Sequence, residues 1–450
     1  MKKKWGLMWL VAIMITLLLA ACSGDEDTSN SADEGTDSDD NDSSEESGEE
    51  ITLQFVHWIN EENGNWEPII EMYEEENPGI NIESVPLVEN MDSRDYFKQL
   101  DLMASAGETI DLMMFSNSND LVKRINAGLV APIDEFMDAE GIDMNETYNN
   151  GYPPVDGQYY GLPMKSVTNG VMINKGHLEE AGLEIPTEWT WDDYREYAKA
   201  MTTEEHYGSY LHTWHNMFSS LKLLGKPENT LMLNEDGTSN ADDPMLQASL
   251  ELRYALEQED KSSVPYSDIL SQQMDYRQQI FTEEVSMIPI ATYMITEWGQ
   301  FTPDFEFAWA PWPKNEEDAT AHSLIGGDLV SIGESSEHKQ EAYDFMRWLT
   351  TEGISEQGIW VPSWKDADLD TVLEKLVSNT SNPDAMDLES LKHTITAVEP
   401  AKTFAPPSYI TEVYTEFDAE VEMYLLGEQD IDTTMQNIQD KTQSIVESNQ

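Results

Sequence analysis

Ile51-Thr52-Leu53-Gln54-Phe55-Val56 alternates apolar and polar side chains as a half-buried strand does, and it begins abruptly after a stretch with scarcely an apolar residue. His57-Trp58 continues it, and then Trp66, Ile69, Ile70 and Tyr73 fall at i, i+3, i+4 and i+7. That spacing predicts a helix with Glu67, Glu71, Glu74 and Glu75 mostly on its other face. Asn77-Pro78-Gly79 stops the helix and Ile80-Asn81-Ile82 opens another strand. The result is β-α-β, the unit of a parallel or mixed sheet with helices on its faces.

The alternation continues along the chain. Ile110-Asp111-Leu112-Met113-Met114-Phe115 reads as a buried strand, and further strands are expected at Val171–Asn174, Val285–Ile290, Phe305–Ala310 and Leu324–Ile332. A helix is predicted from Trp191 to Met201, opened by a Thr190/Asp193 capping box and packing through Tyr194, Tyr197, Ala198 and Met201. Another is predicted over Glu337–Thr350, packing through Ala342, Phe345, Met346 and Leu349. No period of 20 to 50 residues repeats, which excludes a solenoid or propeller.

Ahead of this body lie two segments of different character. Residues 1–22 carry Lys2, Lys3 and Lys4, an apolar run from Leu7 to Leu19, and then Leu19-Ala20-Ala21-Cys22. The run is too short for an ordinary membrane span and ends in small residues, as a cleavage site requires. It resembles a bacterial lipobox, which implies a signal peptide over 1–22 and a lipid on Cys22, the only cysteine. Residues 23–50 hold 13 acids and no Lys or Arg, and are expected to form a disordered acidic tether between anchor and domain.

The whole chain has 88 Asp+Glu against 24 Lys+Arg, a formal charge of −64. Beyond residue 50 there remain 75 acids and 21 bases, so the folded body itself carries −54. That excludes a nucleic-acid partner, since binding phosphates needs clustered Lys and Arg. A salty or alkaline habitat would account for the excess acid, because screened carboxylates keep a surface hydrated.

The order of several short segments is similar to that in the extracellular solute-binding proteins of ABC importers, in particular the sugar-binding family that includes maltose-binding proteins. They are Glu75-Glu76-Asn77-Pro78-Gly79-Ile80-Asn81-Ile82, Ala127-Gly128-Leu129-Val130-Ala131-Pro132, Tyr160-Gly161-Leu162-Pro163, Trp189-Thr190-Trp191-Asp192-Asp193, Gly326-Gly327-Asp328-Leu329 and Glu341-Ala342-Tyr343-Asp344-Phe345-Met346. The family usually has Pro-Asp where this chain has Ile110-Asp111, and Tyr-Asn-Lys where it has Ile173-Asn174-Lys175. Both departures are apolar replacements within strands.

The resemblance implies an α/β fold of two lobes, periplasmic-binding-protein-like and of the class II type, joined by crossing strands. The first crossing is placed near Lys165–Asn169 and the return near Trp309–Pro313, where Pro311-Trp312-Pro313 suits a stiff link. Lobe 1 is then 51–166 plus 312–355, and lobe 2 is 167–311 plus 356–450. It further implies a monomer that needs no cofactor, holds a carbohydrate between its lobes and hands it to the permease subunits in the cell membrane, to which the lipid on Cys22 anchors it.

A sugar ring has apolar faces that stack on aromatics and an equator of hydroxyls that needs polar partners. Eleven of the 13 Trp lie after residue 50. Candidates on the first lobe are Trp58, which a core position also suits, with Asn60 and Glu61 behind it, and Asn117 on the loop after Phe115. Candidates on the second are Trp214 and His215, and Tyr293 with Trp298 as its competitor. Lys165 and Gly327-Asp328 lie near the crossings, where Gly326 and Gly327 suit close backbone approach and leave Asp328 free to accept hydroxyl hydrogens, and Trp364 follows the long helix, with Trp360 beside it read as core. His206, His212 and His215 lack the i, i+4 spacing of a helical zinc pair, so no metal is expected.

No Gly-x-Ser-x-Gly elbow, P-loop or His-Glu-x-x-His occurs, and an acid-rich chain always offers carboxylate pairs, so an exported glycoside-active enzyme is the weaker reading. Within binding proteins the rival ligands are a polyamine or a peptide. They differ from a sugar in what the site's carboxylates face. Bases would offset them beside a neutral ligand, whereas a cation needs them unpaired.

Overall fold

A computed structural model describes residues 50–213, 221–228, 232–298 and 301–449. Its strands are β1 (Ile51–His57), β2 (Ile80–Pro86), β3 (Leu112–Phe115), β4 (Leu162–Pro163), β5 (Val167–Asn174), β6 (Tyr207–Ser209) and β7 (Val285–Ala291). They continue as β8 (Phe307–Pro311), β9 (His322–Ser323), β10 (Ile325–Gly326), β11 (Leu329–Ile332) and β12 (Glu399–Pro400).

Two mixed sheets result. The first runs β2-β1-β3-β11-β4, with β1 parallel to β2 and β3, and β11 antiparallel to β3 and β4. In the second, β5 pairs antiparallel with β7, and also with β8 along Gly170–Asn174 and β10 along Val167–Thr168, while β6 lies parallel to β7. This is the two-lobed α/β architecture of periplasmic binding proteins.

The helix Trp66–Glu76 seats Trp66, Ile69, Ile70 and Tyr73 in the first core, which also takes Phe55, Phe115 and Phe345. The helix Trp191–Ala200 starts from the Thr190/Asp193 capping box and buries Trp191, Tyr194 and Ala198. Met201 is buried as its C-cap, whereas Tyr197 sits at the edge of the core and its hydroxyl donates to Glu184 O. The long helix runs Lys339–Trp348, passes through a π-helical turn at Leu349–Gly353 and ends at Ile354–Gln357. Separate clusters pack on the second sheet, and a helical layer of Pro244–Tyr254, Ile410–Leu425 and Ile431–Asn449 has a core of its own.

The chain changes sheet between Pro163 and Val167 and again between Gly326 and Leu329. The expected return at Trp309–Pro313 is therefore too early. Pro311 ends a strand of the second sheet, and Trp312 is buried in that lobe, its Nε1 donating to Leu221 O. Likewise the single strand expected at Leu324–Ile332 is two strands in two sheets. A third segment, Ile359–Ser363, runs beside the first crossing: Ser166 N donates to Val361 O and Ser363 N to Met164 O. It leads from the first core to the helix Leu369–Ser378, which packs in the second.

Candidate functional site

The three passages between the sheets converge on one lysine. Lys165, on the first crossing, is about 9% exposed, and its Nζ lies 3.0 Å from Asp328 Oδ2 on the second. The same Nζ lies 3.3 Å from Glu297 Oε1 and 5.2 Å from the ring centre of Trp360, which lies on the third passage. Burial pulls the lysine toward neutrality, but the Asp328 and Glu297 carboxylates outweigh it and hold Lys165 protonated, above the ordinary lysine range. Burial raises the Asp328 carboxyl, and Lys165 opposes that rise. Glu297 also faces a second base, Arg277, whose Nε donates to Glu297 O at 2.8 Å and whose Nη2 stands 3.8 Å from Oε2. Two carboxylates thus meet two cations.

Gly327 is what lets the crossings lie so close. Its φ is +138°, and a Cβ there would stand 1.8 Å from Lys165 O. Tyr152 closes the arrangement from the first lobe, its buried hydroxyl lying 2.8 Å from Gly327 O and 3.0 Å from Phe115 O. Tyr293 follows β7 in the 3-10 turn Thr292–Ile295, half-buried, its hydroxyl 3.4 Å from that of Tyr276. It borders, with Lys165, Thr296 and Trp360, a gap of about 10 Å³, room for about one water.

The structure brings Lys165, Tyr293, Gly327 and Asp328 together and scatters the other candidates. Trp58 is a core side chain, 5.3 Å from Tyr96 and 6.3 Å from Phe97 between ring centres. Asn60 and Glu61 are engaged locally. The Asn60 side chain caps the turn Glu61–Gly64, and the Glu61 carboxylate accepts from Trp66 N and Glu67 N. Asn117 is exposed at the carboxyl end of β3, where it caps the helix Ser118–Asn126 through Asp120 N. Trp364 pairs by its backbone with Tyr148 and lines a groove with Met72 and Trp348 on the first lobe. Trp298, the competitor of Tyr293, is buried and donates to Met294 O. Trp214 and His215 lie outside the described residues.

Glu297, Arg277 and Tyr152 escaped the sequence reading. Nothing local marks them, since each gains its place only when distant segments meet. Of the histidines considered for a metal, His206 stacks on His177 with centroids 3.7 Å apart and His212 packs on Tyr276, while His215 lies outside the described residues. Among the described residues no helix is long and apolar enough to cross a membrane.

Residues 59–356 match the family described as bacterial extracellular solute-binding protein. The multiple sugar-binding protein of Streptococcus mutans is 22% identical over 372 residues, covering 78% of this chain and 79% of its own. Among solved structures, a sugar transporter from Rhizobium etli in an open conformation superposes with a TM-score of 0.70 at 20% identity, covering 88% of this chain and 99% of that one. Maltose-bound MalE3 of T. maritima gives 0.66 at 18% identity, with coverage of 88% and 99%.

Proposed function

The chain belongs to the bacterial extracellular solute-binding proteins, and from that premise we propose that it captures a neutral sugar or oligosaccharide between its lobes for an ABC importer. The observation that carries the choice of ligand is the charge balance where the lobes join. Asp328 and Glu297 are offset by Lys165 and Arg277, so even without touching the ligand this region adds no uncompensated negative field of the kind that would draw a polyamine or cationic peptide between the lobes. The sugar-binding relatives support the same reading. Of the candidate contacts, Asn117 and Tyr293 combine exposed or half-buried side chains with positions at the ends of β3 and β7. Trp214 and His215 stay candidates on sequence grounds.

Isothermal titration against mono- and oligosaccharides, with spermidine and peptides as controls, tests this. A saccharide is expected to bind; binding of a control alone would overturn the assignment. Against the identified sugar, Y293A is expected to weaken binding about tenfold, about 1.4 kcal/mol, by removing a ring face. We further propose that the lipid on Cys22 and the acidic tether over 23–50 hold the domain at the outer face of the membrane. C22S should then move the protein from the membrane fraction to the medium.

A further inference from the structure

We infer that Lys165 is the pin of the hinge and that Glu297 is its releasable partner, so that their contact sets how the lobes are poised without either side chain touching the ligand. The inference rests on the binding-protein reading above. Three facts carry it.

The first is position. Lys165, Asp328 and Trp360 belong to, or directly adjoin, the three passages between the sheets, and the backbone of Lys165 pairs with Pro362 on the third. These groups sit where the chain passes from one lobe to the other, so they need not separate when the lobes move about that junction. Glu297 is different, because it belongs to the body of the second lobe, two residues past the turn Thr292–Ile295.

The second is accommodation. The Asp328 side chain is about 5% exposed and has Lys165 as its cation, while that of Glu297 is about 37% exposed and has Arg277 of its own lobe as an alternative. Parting Lys165 from Glu297 therefore strands no charge: Lys165 keeps Asp328, and Glu297 keeps Arg277 and water. Parting Lys165 from Asp328 would leave a buried carboxylate alone, which is far more costly. The weaker link is the one that can open.

The third is a neighbouring contact of the same kind. Thr296 Oγ1 donates to Ile359 O at 2.9 Å, so two successive residues of one loop hold the passages. Thr296 and Glu297 form one detachable side, and the lysine with its aspartate forms the fixed side.

Small-angle scattering on the unliganded protein tests this with E297Q, which keeps the shape and removes the charge, and with T296V as a second probe. The radius of gyration of both variants should differ from wild type beyond replicate error without ligand and coincide with it in saturating sugar. Their affinity for that sugar should change at least threefold. An unliganded radius equal to wild type in both variants overturns the inference. So does a radius that is unchanged while affinity falls, since that is the mark of a direct ligand contact. Should no saccharide bind at all, the sugar assignment fails, and the unliganded comparison still decides whether Glu297 poises the lobes.

Discussion

At Gly327 the side chain that is missing matters more than any that is present. With φ at +138° and Lys165 O where a Cβ would go, Ala there meets both backbone strain and a clash. The neighbouring backbone cannot yield easily, because Ser166 N and Met164 O are both bonded to the third passage. G327A should lose more than about 3 kcal/mol, read as a lowered urea midpoint. The Gly326-Gly327-Asp328 run was legible as a place of close approach, but not what approaches. Its crowding is against Lys165, so the aspartate that looked free for sugar hydroxyls is committed to an ion pair. Buried histidines make a second residue-scale test. Burial lowers both His57 and His212 from 6.5 to about 3, with Arg253 and Arg277 adding to the effect at His212. Between those values the unfolded chain takes up protons that the fold refuses, so stability is complete above pH 6.5 and falls as pH drops below it. Each histidine contributes a loss of about 2 kcal/mol by pH 5. Asp418, pushed up to about 6 by burial and Glu422, acts in the opposite sense, as do the Asp328 and Glu257 carboxyls that burial raises, while His177, lowered by burial, sides with the two histidines. The histidine share is therefore read by difference: H57Q should lose less melting temperature between pH 7.5 and 5 than wild type does.

Elements were most legible where their signal is local. The spacing of Trp66, Ile69, Ile70 and Tyr73 defines a helix whatever packs on it, and Thr190 with Asp193 marks a start because each side chain satisfies the other residue's backbone N–H. T190A removes that reciprocity and should cost about 1 kcal/mol, visible as a shifted denaturation midpoint with an unchanged slope. A larger loss would mean that the cap also fixes the adjoining Thr190–Lys314 bridge. Strands were less legible, because alternation reports burial and not which sheet does the burying. Leu324–Ile332 is apolar enough for one strand, yet Ile325–Gly326 pairs with β5 and Leu329–Ile332 with β3. Pro311-Trp312-Pro313 misled in the reverse way. Its prolines suggested a link between lobes, while Trp312 is anchored against Trp191 inside one of them. The same limit hid Glu297 and Arg277, which lie 132 and 112 residues from Lys165 along the chain.

On the whole molecule the surplus of acid has little to pair with. The bases beyond residue 50 are mostly spent in ion pairs already, from Arg94 with Asp92 to Lys441 with Glu416 and Glu420. The remaining carboxylates therefore confront one another through water. Salt acts on both populations, and the balance between them gives the sign of its effect. Exposed pairs are worth about 0–1 kcal/mol each, so screening them loses little. Repulsion within a body of −54 is summed over every unpaired acid, and shortening the Debye length from about 10 Å at 0.1 M to about 3 Å at 1 M removes most of it. Melting temperature should therefore rise with NaCl and level off toward 1 M, and KCl should give the same curve, since screening depends on ionic strength and not on the cation. A flat or falling curve would show that the acids are balanced within the fold, and the link between this composition and a saline medium would be lost. A rise with one cation and not the other would point to specific ion binding instead.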